Sequence, residues 1–245
     1  MKKILFFLCA IYLVVNQPTL SATNVVQECY YAEPIDQKVD VNFFQKLIIQ
    51  ADDKNETFAS IEKHLRDNIP FPHRFEFKYP LLDKSHAEIF AIVLQIKAQE
   101  AHRFVPVIES SQFIAPGNLG FIREIKIKND GPRVQEHVLL DHKKARIIFI
   151  EEWVIDSNNI EHPGCFAAIN SVIEEEGMWY FAGTYFYNEK KKSADIPSTI
   201  RMFQETYENM ISFIENEDVE SNYNQLQTQV IKKILERGHI PNEIS

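Results

Sequence analysis

The chain has 245 residues, with 26 Lys and Arg against 35 Asp and Glu, a formal charge of −9 and a hydrophobic share of 45%. An acidic surface repels phosphate backbones and anionic headgroups, so neither nucleic-acid binding nor docking on anionic lipid is expected. The length suits one sizeable domain plus an appendage.

Residues 1–22 read as a signal peptide. Lys2 and Lys3 supply a positive start, residues 4–15 form an apolar run of twelve, and Pro18 breaks the helix before Leu20-Ser21-Ala22. Twelve residues fall short of the roughly 20 needed to span a bilayer, so a cleaved leader fits better than an anchor. A secreted or periplasmic location follows, with no stable membrane anchor after cleavage. The two cysteines that survive processing, Cys29 and Cys165, either form a disulfide or are unrelated thiols.

Residues 23–72 read as a linker followed by a helical extension. Apolar residues recur at helical spacing at Val41, Phe44, Leu47 and Ile48 and again at Phe58, Ile61 and Leu65. Asp52-Asp53-Lys54-Asn55 interrupts them, which predicts two short helices packed back onto the main domain. Phe75, Phe77 and Tyr79 alternate with Glu76 and Lys78 as a strand does, and Pro80 closes it. Asp83-Lys84-Ser85 offers a helix start, and the apolar face from Ala87 to Phe104 predicts a helix ended by Pro106.

A ladder of strands follows, predicted over residues 112–115, 121–128, 133–141, 145–154, 166–174 and 178–187, with turns at Asp130-Gly131 and Glu176-Gly177. Successive hairpins imply a curled antiparallel meander. Ile200, Phe203, Tyr207, Met210, Ile211 and Ile214 mark a long amphipathic helix after Pro197. A further helix is predicted from about Tyr223 to Arg237, capped by Gly238. The domain reading is therefore 1–22 leader, 23–72 extension, 73–217 main domain and 218–245 C-terminal helical extension.

Strand register brings candidate residues together. With Asp130-Gly131 at the hairpin tip, paired residue numbers sum to 261, so Ile125 opposes Glu136 and Arg123 opposes Val138. Arg123 and Glu136 then sit diagonally on an otherwise apolar face, within reach of each other. They are either a polar anchor inside an apolar cavity or a structural ion pair at the sheet rim. Pairing Asp141 with Lys144 extends the face, placing Val138 by Ile147 and Glu136 by Phe149. Pairing Glu174 with Met178 places Val172 by Tyr180 and Asn170 by Ala182. Ligand-contacting candidates are therefore Arg123, Glu136, Val138, Phe149, Asn170 and Tyr180.

Enzyme signatures are missing from the sequence. It has no Gly-rich phosphate loop, no paired-His helix motif and no Gly-flanked serine elbow, and its eight histidines show no metal-ligand spacing. No catalytic residue, metal site or cofactor is expected.

Several short blocks carry a family resemblance. Phe121-Ile122-Arg123-Glu124-Ile125, Val134-Gln135-Glu136-His137-Val138 and Ala168-Ile169-Asn170-Ser171-Val172-Ile173 come before an aromatic last strand, after Lys97-Ala98 and Phe104-Val105-Pro106. In this order they resemble the AtaL-like family of the START/polyketide-cyclase-like (SRPBCC) superfamily, over about residues 75–214. The resemblance implies an α+β helix-grip fold, a curved antiparallel sheet wrapped around a long C-terminal helix with an apolar cavity between them. It also implies a lipid, sterol or polyketide-like ligand, and it marks Arg123, Glu136 and Asn170 as pattern positions.

The expected function is an exported protein that binds a hydrophobic small molecule or lipid between sheet and helix. One alternative is a cyclase-like or lipid-modifying enzyme using a buried acid such as Glu136. Another is a secreted interaction protein with a filled cavity and terminal helices as partner surfaces.

Overall fold

The computed structural model describes residues 43–53, 56–67, 73–141, 145–164, 166–187 and 195–237. The leader, the linker, both cysteines and the Gly238 cap lie outside them. In chain order the elements are α1 (Phe43–Asp52), α2 (Phe58–Asp67), β1 (His73–Leu81) and α3 (Lys84–Gln99), then a 3-10 turn (Ala101–Arg103). The strands β2 (Ile108–Pro116), β3 (Gly120–Ile127), β4 (Arg133–Asp141), β5 (Arg146–Ile155), β6 (Glu161–Pro163), β7 (Phe166–Glu175) and β8 (Met178–Tyr187) follow. Helices α4 (Asp195–Asn216) and α5 (Val219–Arg237) complete the described chain.

Strands β2 to β8 run as an antiparallel meander with β1 added beside β8, in the order β1-β8-β7-β5-β4-β3-β2, and β6 pairs with β5. The sheet is curved and α4 packs into it, which is the α+β helix-grip fold. Both edge strands contain a proline, Pro80 in β1 and Pro116 in β2. A proline gives up no ladder bond on an outward-facing edge, so β1 runs on to Leu81 rather than closing at Pro80.

The sheet is buried on both faces. Its inner face carries Phe77, Phe121, Val138, Ile147, Phe149, Phe181 and Tyr185, packed against Phe90 and Leu94 of α3 and Phe203 and Met210 of α4. Its outer face carries Ile148, Ile150, Ile169 and Phe186, covered by Phe44 and Leu47 of α1 and by Ile61 and Leu65 of α2. Two-sided burial explains why residues 147–150 and 167–172 are continuously buried rather than alternating.

Helix starts follow capping chemistry. The Asp83 carboxylate accepts the His86 N–H at 2.8 Å and opens α3. Asp218 accepts the Ser221 N–H at 3.0 Å, so α5 begins four residues ahead of the expected Tyr223. Helix α4 starts at Asp195, ahead of Pro197, because the first-turn N–H groups have no intrahelical partner and proline's missing one costs nothing.

The three hairpin registers differ from those expected. At β3–β4 the left-handed residues are Asn129 and Asp130, with φ of 59° and 54°, and the Gly131 N–H donates to the Lys128 carbonyl at 3.2 Å. That is a type I′ arrangement centred one residue earlier than Asp130-Gly131. Paired numbers therefore sum to 259, and Arg123 lies directly opposite Glu136, with Phe121 opposite Val138. At β4–β5, Asp141 pairs with Arg146 rather than Lys144, and Ala145 has a left-handed φ of 47°. Val138 then faces Phe149, and Glu136 faces Glu151. At β7–β8 the two-residue turn Glu176-Gly177 has φ of 52° and 79°, so Glu175 pairs with Met178. This one-residue shift sets Val172 by Phe181, Asn170 by Gly183 and Tyr180 by Ile173.

Candidate functional site

A cavity of about 290 Å³ lies between the inner face of the sheet, the C-terminal end of α3 and the middle of α4. Ile125, Phe149, Ala168 and Met202 give it apolar walls, and Val105 and Val107 continue them past the 3-10 turn. Val107 is 42% exposed, so this end opens toward solvent.

A polar cluster closes the other end. Arg123 Nε and Nη2 both donate to Glu136 Oε2, at 2.8 and 2.6 Å, while Nη1 donates to the backbone carbonyls of Lys97 and Ala98. The pair is 5% and 4% exposed, and the register explains it: direct opposition on adjacent strands holds both side chains in one plane of the inner face. Carbonyls at the end of α3 complement the guanidinium, since the C-terminal end of a helix is its negative pole. The cluster meets the requirement that a buried charge be paired and hydrogen-bonded.

Lys97 joins the cluster from α3. Its Nζ donates to Asn170 Oδ1 at 3.0 Å, and Asn170 Nδ2 donates to the Tyr185 hydroxyl at 3.3 Å. The Phe149 ring lies under both cations, 5.2 Å from Lys97 Nζ and 4.8 Å from Arg123 Cζ. Burial pushes the Lys97 ammonium down from 10.5 to about 7; the Arg123 charge adds to this and Glu136 opposes it. Burial also pushes the Tyr185 hydroxyl up, keeping it protonated and able to donate.

The structure thus gathers some of the expected residues and separates others. Arg123, Glu136 and Phe149 line the cavity. Asn170 stands behind it, holding Lys97 and Tyr185. Val138 is fully buried in the core between Phe121 and Phe149. Tyr180 lies on the outer face, where it lines a hollow of about 500 Å³ beside α2 with the charged Glu62, Lys78 and Arg146.

Lys97 and Tyr185 were missed as site residues. The signal for Lys97 was present: it occupies a core position of α3, three residues after Leu94 and four before Ala101, among positions otherwise apolar. Tyr185 was hidden among the aromatics of β8, whose facing depends on the register of the last turn.

Among the described residues no three His, Cys, Asp or Glu gather as a metal site, and no helix is long and apolar enough to cross a membrane. No protein-family model and no curated protein matches the chain. Among solved structures it is similar to Ara h 8.0201, at 10% identity and a TM-score of 0.42, over 59% of this chain and 99% of that one. It is also similar to ginseng major latex-like protein 151 from Panax ginseng, at 10% identity and a TM-score of 0.41, over 56% of this chain and 93% of that one.

Proposed function

We propose that the protein is an exported, AtaL-like binding protein that holds a hydrophobic small molecule or lipid between its sheet and α4. One observation carries the reading: an apolar-walled cavity ends in a buried, hydrogen-bonded polar cluster. Small-molecule sites combine these features, with apolar surface for affinity and a few fixed polar groups for orientation. At about 290 Å³ the space lies just below the range usual for such sites, roughly 300–1,000 Å³, so it suits a small guest. Export is supported by Lys2, Lys3 and the apolar run of residues 4–15.

The test is uptake of a neutral, environment-sensitive fluorophore such as Nile red by the wild type and by Ala168→Phe. Ala168 is 1% exposed and lines the cavity, so a phenyl ring there fills the space while leaving the polar cluster intact. The wild type is expected to bind with a blue-shifted emission and the variant to lose binding while still unfolding cooperatively. Equal binding by both would place the fluorophore elsewhere and contradict the reading.

A further inference from the structure

Among the described residues the two buried Lys or Arg side chains are Arg123 and Lys97, and Lys97 has the weaker complement. Arg123 holds the Glu136 carboxylate in a two-donor grip and also reaches two backbone carbonyls. On the outer face the half-buried Arg146 pairs with both Glu62 and Asp141. The Lys97 ammonium, with three donors, gives one hydrogen bond to a neutral amide oxygen and rests on the Phe149 ring. It is 6% exposed and lines the cavity. A buried ammonium without a carboxylate is costly, and an anion entering from the cavity would relieve that cost.

Building on the proposed binding function, we infer that the guest is an amphiphile with a monoanionic acid group, a carboxylate, whose head pairs with Lys97 while its apolar body lies between Ile125, Phe149 and Met202. The surrounding charges fix the polarity. Arg123 on β3 is already neutralised by Glu136 on β4, which leaves Lys97 as the cation available to an anionic head. Glu151 on β5 lines the same cavity opposite Glu136. Tyr185 on β8 is a neutral donor held by Asn170, and among the described residues α4 contributes the uncharged Met202, Phe203 and Thr206. With its ammonium held near pH 7, Lys97 takes up a proton as the carboxylate arrives, so affinity falls as pH rises.

Isothermal titration of the mature protein with decanoate, decanol and decylamine tests this, since the three share one chain and differ in head charge. At pH 6 the wild type is expected to bind decanoate about tenfold or more tightly than decanol, the gain of a charge-assisted hydrogen bond, and decylamine most weakly. At pH 9 the preference for decanoate should shrink. Lys97→Met should bind decanol like the wild type and lose the carboxylate preference, whereas Lys97→Arg should keep it at both pH values. Decanol binding as tightly as decanoate at pH 6, or a preference surviving in Lys97→Met, would overturn the inference while leaving the cavity reading in place. Failure of all three compounds to bind would overturn both.

Discussion

Arg123 and Glu136 show how two residues on a strand ladder become a buried feature. Their direct opposition lets one carboxylate oxygen take two guanidinium bonds, and this geometry makes removal of one partner expensive. Glu136→Ala is expected to cost about 3–5 kcal/mol in urea unfolding, because it strands a buried guanidinium. The double substitution Arg123→Met with Glu136→Leu should cost far less, since it removes both charges; equal losses would contradict pairing as the reason. Lys97 gives a pH signature. Below a folded-state value of about 7 both folded and unfolded chains hold its proton and the burial penalty is full; above 10.5 both release it and the penalty is gone. Wild-type stability contributed by this group therefore rises between about pH 7 and 10.5. Lys97→Met should lack that rise, so its stability relative to wild type is expected to be more favourable at pH 7 than at pH 10. Parallel curves for the two proteins would show that Lys97 is solvated.

At the scale of elements, the sequence announced nearly every helix and strand through periodicity and turn residues. What it left open was register. The expected hairpin tip, Asp130-Gly131, contains the residue pair most often associated with a tight turn, yet the structure places the left-handed residues at Asn129 and Asp130. A two-number change in pairing preserved the inner face of β3 and β4, so Arg123 and Glu136 still met. A one-number change at Glu176-Gly177 swapped the faces of β8, sending Tyr180 outward and Tyr185 inward. The short β6 lay unseen within a long loop, since three residues are too few for a period. The amphipathic pattern of α1 and α2 was legible, but only packing shows that they cover the outer face of the sheet. Leu65, fully buried on α2, should cost about 2–5 kcal/mol when changed to Ala, whereas Ile49, 70% exposed on α1, should cost under about 0.5 kcal/mol. Equal small effects on thermal unfolding would mean that α2 is not docked.

At the scale of the molecule, covering helices on the outer face free the inner face for another use. Helices α1 and α2 supply a second hydrophobic layer, and Arg146 ties α2 to β5 through Glu62. The inner face does not have to be solid for the sheet to be held. Its aromatic end, where Tyr79 and Tyr207 stack 4.6 Å apart beside Phe90 and Phe181, is closed, while the part bounded by Ile125, Ala168, Tyr185 and Phe203 keeps its space. The helix-grip order thus joins a dense core and a polar-ended cavity within one sheet.

Native mass spectrometry of the full-length protein, purified from its own host and followed by organic extraction, addresses the central claim most directly. A wild-type protein carrying one stoichiometric hydrophobic molecule, absent from Ala168→Phe prepared in the same way, is the expected result. An empty wild type that also takes up no compound from a lipid panel would contradict it, leaving the cavity as space the fold does not use.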